Sequence, residues 1–207
     1  LCSFFDALTF QGITMQLNQG QQQALDALLA AVIDPKQKLV TLTGAGGTGK
    51  TTILKQLIKE LKDLAVLMPE LVTTWHFTAT TNKAVAALSD AIGPIAEVTT
   101  IHSLLGLVPY QGKLTKRRAA TVHRKSIVVI DEASYIGEEL AEHIASIVDK
   151  VTLIIFVGDS YQLPPVKDEI SDIFDSKIIP QIELTQVMRQ ADGNPIQELS
   201  LDLRDVV

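Results

Sequence analysis

The chain has 207 residues, 46% of them hydrophobic, so it is long enough to bury one substantial core. Its 18 Lys+Arg and 24 Asp+Glu give a net charge of −6, which excludes a global basic field for nucleic acid or an anionic membrane. Any nucleic-acid contact must be a local patch. The single cysteine, Cys2, excludes an internal disulfide and favours an intracellular protein, so we expect a cytoplasmic location.

The first 14 residues carry no targeting signal. They include Asp6, lack a basic start and are too short to span a bilayer, so we expect no membrane contact. The first residue is Leu1 rather than methionine, and Met15 opens a cleaner helical pattern. Residues 1–14 are therefore interpreted as an N-terminal extension or as part of the fold, with both alternatives open.

From residue 19 onwards the chain alternates between helical and strand patterns. Apolar residues recur at spacings of three and four in residues 19–32, which predicts an amphipathic helix ending before Asp34-Pro35. A short β-branched run at 39–42 predicts a strand, and the helical spacing returns from Ile53 to Leu61. Between them lies a glycine-rich segment, so the order is strand, glycine loop, helix.

The same alternation continues and predicts a doubly wound parallel α/β sheet. Residues 127–130 and 153–157 are apolar on both faces, as in a parallel sheet covered by helices. The predicted strands are 71–79, 126–131, 151–157 and 181–184, and the predicted helices are 83–91 and 138–148.

Two segments depart from this alternation. Residues 107–125 break the pattern and contain a basic run, so we interpret them as an insertion. Residues 195–204 predict a last helix with no further strands after it. We therefore expect one domain over residues 15–207 that is a fragment of a longer protein.

The glycine-rich segment fits the pattern G-x-x-x-x-G-K-[ST] between a strand and a helix, the context that a phosphate loop requires. Its backbone N–H groups would surround phosphates, Lys50 would reach the β- and γ-phosphates, and the Thr51 hydroxyl would bind Mg²⁺. The cofactors expected are therefore ATP and Mg²⁺. The expected nucleotide-binding residues are Gly44, Ala45, Gly46, Gly47, Thr48, Gly49, Lys50, Thr51 and Thr52.

Polar residues follow two of the apolar strands. Asp131 and Glu132 come directly after residues 127–130, at the strand end where open α/β sheets bind ligands. Asp131 is a candidate metal ligand and Glu132 a candidate general base for an attacking water. After 153–157, a loop with two prolines places Gln162 near the same edge, where its amide would report the presence of a γ-phosphate.

In order along the chain, these segments resemble the motif series of superfamily 1 DNA helicases, and most closely the RecD/Dda branch. The resemblance runs from about residue 17 to about residue 204 and implies a RecA-like motor domain that moves 5′ to 3′ on single-stranded DNA. Its most specific pieces are Thr-Ile-His-Ser-Leu-Leu at 100–105 and the Gly-Asp-x-x-Gln-Leu-Pro-Pro-Val segment at 158–166. The other segments are 44–51, 79–84, 131–134 and 183–189.

The resemblance also implies roles for individual residues. Gln21 matches the family glutamine that hydrogen-bonds adenine, and Arg189 matches the arginine that reaches the γ-phosphate. Without the resemblance, either would be read as a surface residue. Residues matching the DNA-facing positions, whose hydroxyls, ammonium and imidazole would contact phosphates, are Thr81, Lys83, Thr100 and His102.

Some features depart from the family. Thr80 stands where the family often has proline, and the insertion at 107–125 lies where relatives carry a small β-hairpin that separates the duplex. The second motor domain is absent from this sequence. Two alternatives stay open: a non-motor regulatory P-loop ATPase, and an RNA helicase of the same superfamily. Repair or recombination subunits are possible partners.

Overall fold

A computed structural model of the chain describes residues 17–67, 74–159, 173 and 177–186. The expectations for residues 1–14, for Gln162 and Arg189, and for a helix at 195–204 lie outside these described residues.

The first half of the fold matches the predicted order of elements. Helix α1 begins with a capping box, in which the Asn18 side chain accepts from the Gln21 backbone and the Gln21 side chain accepts from the Asn18 backbone. The α1 helix spans Gln19–Ile33, β1 spans Leu39–Gly44, α2 spans Lys50–Leu67, β2 spans Thr74–Ala79 and α3 spans Asn82–Ile92.

Four short elements follow that the sequence patterns did not predict. Strand β3 (Val98–Thr100) leads into helix α4 (Ile101–Leu105), and β4 (Leu107–Tyr110) pairs antiparallel with β5 (Lys113–Lys116). Positive φ angles at Gln111 and Gly112 form the two-residue turn of this hairpin, a geometry that matches the twist of the paired strands. The insertion at 107–125 therefore begins as a β-hairpin rather than as an irregular loop.

The second half is again close to the predictions. Strand β6 (Ser126–Asp131) has the predicted bounds, and so does β8 (Gln181–Leu184). Strand β7 spans Leu153–Gly158. Helix α5 (Glu138–Ala145) ends three residues before the prediction, and a single 3₁₀ turn, Val148–Lys150, follows it.

Six strands form one parallel sheet in the order β3-β2-β6-β7-β1-β8. This confirms the predicted doubly wound α/β architecture. Parallel strands all run the same way, so the carboxyl ends of β2, β3, β6, β7 and β1 lie at one edge. The register places Thr100, Ala79 and Asp131 in one row across β3, β2 and β6.

Side chains of the central strands alternate between two cores. Ile127, Val129 and Ile155 pack with α1, α2 and α3 on one face. Val128 and Ile154 pack with α4 and α5 on the other face. Burial on both faces explains why β6 and β7 read as continuous apolar runs. Within the described ranges, no helix is both long enough and apolar enough to cross a membrane.

Two threonines near the end of β2 give a test of this packing. Thr78 Oγ1 donates to Val129 O at 2.8 Å, whereas the buried Thr80 Oγ1 has no hydrogen-bond partner among the described residues. We expect Thr78→Val to lower the free energy of unfolding by about 1 kcal/mol, because it removes a buried hydrogen bond. Thr80→Val should leave that free energy unchanged or raise it, because it removes an unsatisfied hydroxyl. Urea denaturation measures both, and an equal loss in the two variants would contradict the assigned contacts.

Candidate nucleotide-binding site

The glycine loop between β1 and α2 has a backbone path that requires glycine at its start. Gly44 has φ +154°, and a Cβ there would lie 2.6 Å from Leu184 O and 2.8 Å from Thr48 Oγ1. The buried Thr48 closes the turn, because its hydroxyl donates to Ala45 O at 2.9 Å. The loop is thus folded tightly around its own backbone, with the exposed Gly46 at its outer side.

Lys50, the first residue of α2, folds back over this loop. Its Nζ donates to Gly44 O at 2.6 Å and to Ala45 O at 3.1 Å. These neutral carbonyls hold the ammonium above the loop, where a phosphate oxygen would be a stronger, charge-assisted acceptor. Thr51 and Thr52 follow in the first turn of α2 and are half-buried. The structure therefore brings all the predicted loop residues together.

Gln21 lies against the loop from the side of α1. Its Nε2 donates to Thr48 O at 3.1 Å, its Oε1 accepts from the Asn18 backbone at 3.1 Å, and only 5% of the residue is exposed. At Gly49, with φ +93°, a Cβ would collide with this amide. Gln21 therefore joins the start of α1 to the phosphate loop, a contact that the sequence pattern does not predict.

A groove of about 500 Å³ runs beside Gln21, between the start of α1, Thr48 and the last residues of β8. Ligand pockets of roughly 300–1,000 Å³ are usual for small molecules. The groove is continuous with the phosphate loop, because both include Thr48. Its position therefore suits the base and sugar of a nucleotide whose phosphates lie on the loop.

The acidic pair faces the loop from the end of β6. Burial raises the pKa of Asp131, while the backbone of Glu132 and the Lys50 ammonium act in the opposite direction. Burial also raises the pKa of Glu132, and so do the charges of Asp131 and Asp159, whereas Lys50 again lowers it. The influence of Lys50 on both carboxylates places the loop lysine and the acidic pair in one electrostatic cluster.

Glu132 also has an unusual backbone. Its φ of 55° and ψ of 41° are left-handed, which is uncommon for a residue with a side chain. The strand thus turns sharply after Asp131 into the 3₁₀ turn Ala133–Tyr135. Strained backbone of this kind costs of order 1–3 kcal/mol and clusters at functional sites.

Asp159 also lies at this site, although it is not among the residues predicted from the sequence. It follows β7 directly, is 6% exposed, and its charge acts on Glu132. The sequence signal that could have found Asp159 is its place at the end of an apolar strand, like that of Asp131, because β6 and β7 are neighbours in the sheet.

The residues present fit a nucleotide with Mg²⁺. Mg²⁺ prefers oxygen ligands and is usually held by one or two carboxylates together with substrate phosphates. The hydroxyl of the half-buried Thr51 and the Asp131 carboxylate are oxygen groups of this kind, and the ammonium of Lys50, next to Thr51 in the chain, lies over the Gly44 carbonyl. A compact glycine loop, an ammonium and half-buried carboxylates are the groups that this chemistry needs.

The predicted DNA-facing residues lie along the same edge. Thr81 caps α3 by accepting from Ala84 N at 3.1 Å, and Thr100 caps α4 by accepting from Ser103 N at 3.1 Å. Lys83 is exposed, whereas burial lowers the pKa of the half-buried His102. At neutral pH, His102 is therefore a neutral hydrogen-bonding group rather than a cation.

The insertion is fastened to α4 beside His102. Arg118 donates to Ser103 O at 2.6 Å and to Ser103 Oγ at 3.2 Å. On its other side, Leu114 N in β5 donates to Glu139 Oε1 of α5 at 2.6 Å. The insertion thus contacts α4, which follows Thr100, through Arg118, and contacts α5, the helix that follows the acidic pair, through Leu114.

A glycine loop after a parallel strand, faced by half-buried carboxylates at the same sheet edge, defines a P-loop nucleotide-binding domain of the α/β class. A family model described as an AAA domain matches residues 16–206, and the chain belongs to this family. Domains of this family bind nucleotide.

The comparisons also confirm the resemblance to the first motor domain of RecD/Dda-like superfamily 1 helicases. The chain is 33% identical over 180 residues to the ATP-dependent RecD2 DNA helicase of Deinococcus radiodurans, covering 87% of this chain and 23% of that protein. It is 30% identical over 207 residues to the ATP-dependent DNA helicase dda of Enterobacteria phage T4, covering 96% and 44%. The crystal structure of Pif1 helicase from Candida albicans matches with a TM-score of 0.62 at 25% identity, covering 93% and 44%.

The contact between Gln21 and the loop can be tested with two neighbouring glutamines. Gln21→Ala removes the partners of Thr48 O and of the Asn18 N–H, so we expect the free energy of unfolding to fall by about 1–3 kcal/mol. The control is Gln22→Ala, because Gln22 is exposed and its side-chain amide donates to Asp26 across one helical turn. That change should cost less than about 0.5 kcal/mol. Equal losses of unfolding free energy for the two variants in chemical denaturation would contradict a stabilising contact between Gln21 and the loop.

Proposed function

We propose that this chain is the ATP-binding and ATP-hydrolysing motor domain of an ATP-dependent 5′-to-3′ DNA helicase acting on single-stranded DNA. The two relatives described above are ATP-dependent DNA helicases by name. The chain spans 23% of the first and 44% of the second. It would therefore supply one part of a motor whose other part closes over the same nucleotide.

The proposed reaction is in-line attack of water on the γ-phosphate. Lys50 would leave the loop carbonyls and neutralise phosphate charge, while the loop N–H groups hold the remaining oxygens. Thr51 and Asp131 would hold Mg²⁺, which when bound neutralises charge on the phosphates. Glu132, half-buried and directed by its left-handed turn, would orient the water and accept its proton.

Two further residues complete the proposal from the resemblance alone. Gln162 would respond to the γ-phosphate, and Arg189 would stabilise charge in the transition state. Gln21 would contact adenine with the part of its amide that faces the groove, while it holds Thr48.

The observation that carries the proposal is the shared row of Thr100, Ala79 and Asp131. Thr100, a candidate DNA contact on β3, and Asp131, the candidate metal ligand on β6, stand at the same level with only β2 between their strands. A strand of DNA along Thr81, Lys83, Thr100 and His102 would therefore run directly beside the hydrolytic site. That adjacency favours a motor over a regulatory ATPase, because a regulatory ATPase has no need of a polymer track there.

The first prediction concerns the acidic pair. Glu132→Gln should retain ATP binding and lower the hydrolysis rate at least about 100-fold, because general bases contribute 10²–10⁴-fold. Lys50→Ala serves as the blank for background hydrolysis. Phosphate release and the affinity for a fluorescent ATP analogue measure the two properties separately.

The matched control for that variant is Glu138→Gln. Glu138 is exposed in the first turn of α5, so the same loss of a carboxylate should leave hydrolysis within about twofold. If Glu132→Gln hydrolyses ATP as fast as Glu138→Gln does, the assignment of the base is wrong.

The second prediction concerns the polymer. Hydrolysis by the chain should rise with single-stranded DNA, and Lys83→Ala should weaken binding of the oligonucleotide with a smaller dependence on salt, because one phosphate contact is lost. Lys36→Ala is the control, since Lys36 is exposed in the turn after α1, at the opposite end of the strands. Steady hydrolysis that ignores DNA would favour the regulatory ATPase, and equal stimulation by RNA would favour the RNA helicase.

A further inference from the structure

A second groove, of about 410 Å³, opens at the sheet edge between α3 and the turn that follows the acidic pair. It differs from the nucleotide groove, which lies on the other side of the phosphate loop beside α1 and β8. Tyr135, the aromatic residue of this groove, is not among the site residues predicted from the sequence. The lining residues are Thr81, Lys83, Ala84, Ala87, Glu132 and Tyr135.

Tyr135 is the large side chain of this groove. Tyr135 is 48% exposed. Its hydroxyl has no hydrogen-bond partner among the described residues. The neighbouring Ala133 and Ile136 are buried at 0% and 1%, so the backbone on both sides of the ring is anchored in the core. An exposed ring on an anchored turn is pre-organised, which lowers the entropy cost of stacking a planar group on it.

The remaining lining residues form a cationic and apolar side and an acidic side. Lys83 supplies an exposed ammonium, and Ala84 and Ala87 supply a small apolar wall. Glu132 supplies a carboxylate at the other side, which disfavours a phosphate there. An apolar wall with an aromatic ring accepts a base, and the ammonium accepts the neighbouring phosphate. The groove is therefore matched to one nucleotide unit of a single strand.

We propose that Tyr135 is a stacking platform for a base of the bound single strand, with Lys83 on the adjacent phosphate. This inference rests on the proposed function, because it needs a single-stranded polymer at this edge. Tyr135 N–H donates to Glu132 O at 3.1 Å. A base that holds the ring also holds the short turn that starts at Glu132, so the occupied strand steadies the residue that orients the attacking water.

The test compares Tyr135→Phe with Tyr135→Leu in the 207-residue chain. Phenylalanine keeps the stacking face and leucine keeps only apolar volume. Binding of a fluorescent oligothymidylate is measured by anisotropy, beside an oligonucleotide of the same length with abasic sites. Stacking contributes roughly 1–3 kcal/mol per base, so Tyr135→Leu should weaken oligothymidylate binding about 5- to 150-fold. It should weaken the abasic oligonucleotide far less, and Tyr135→Phe should bind both as the native chain does.

The same proteins are assayed for DNA-dependent hydrolysis. For Tyr135→Leu, the oligothymidylate concentration that gives half-maximal stimulation should rise by the same factor as the loss of binding. For Tyr135→Phe, that concentration should not change.

If the native chain responds to DNA but the leucine variant binds and responds equally well, stacking by Tyr135 is wrong while the proposed function stands. If Tyr135→Phe fails as much as Tyr135→Leu does, the hydroxyl makes the contact and stacking is again wrong. If the native chain neither binds nor responds to single strands, the proposed function fails and the stacking proposal with it.

Discussion

The parallel pairing of the central strands is the constraint on which the rest of the structure depends. Strands β1, β7, β6 and β2 are hydrogen-bonded neighbours and run in one direction. Apolar residues on both faces fix their register, since a slip by one residue would exchange the two cores. The glycine loop, Asp131 and Asp159 then reach one edge because the loop and Asp159 come at the ends of β1 and β7 and Asp131 is the last residue of β6. The proximity of these groups is a consequence of strand direction.

That proximity brings several partly buried carboxylates together at the edge of the sheet, which disfavours their charged forms. Burial alone would favour neutral carboxyl groups at Asp131 and Glu132, and each neighbouring negative charge strengthens that tendency. Lys50 opposes it for both groups, so one ammonium partly offsets the buried negative charge. A site with more carboxylates than ammonium groups favours a cation, and a site with a glycine loop favours an anion. Magnesium with a nucleotide satisfies both requirements together, which supports the proposed pairing.

The sequence predicted the parts of this fold whose signals are local. The bounds of strand β6 were predicted correctly because its apolar run is continuous and ends in charged residues. The phosphate loop after β1 was predicted because its glycines have a fixed spacing. Strand β3 and helix α4 were missed since three and five residues are too short to show a period. The contact of Gln21 with Thr48 joins residues 27 apart in sequence, and no pattern of spacing encodes it. The proposed role of Tyr135 likewise could not be predicted from spacing, because it depends on the groove that Tyr135 forms with residues of α3.

The acidic charge of the chain and its proposed contact with DNA are reconciled by where the basic residues lie. Residues 113–125 contain no acidic residue and hold six of the chain's 18 Lys+Arg, namely Lys113, Lys116, Arg117, Arg118, Arg124 and Lys125. The bonds from Arg118 to Ser103 fix this run beside α4. A local positive field falls off over about a Debye length, roughly 8–10 Å at physiological salt, so net charge elsewhere has little effect on it. The basic residues of the insertion would then attract single-stranded DNA. Contacts with Thr81, Lys83 and Thr100 would order that DNA at the sheet edge where hydrolysis is proposed to occur.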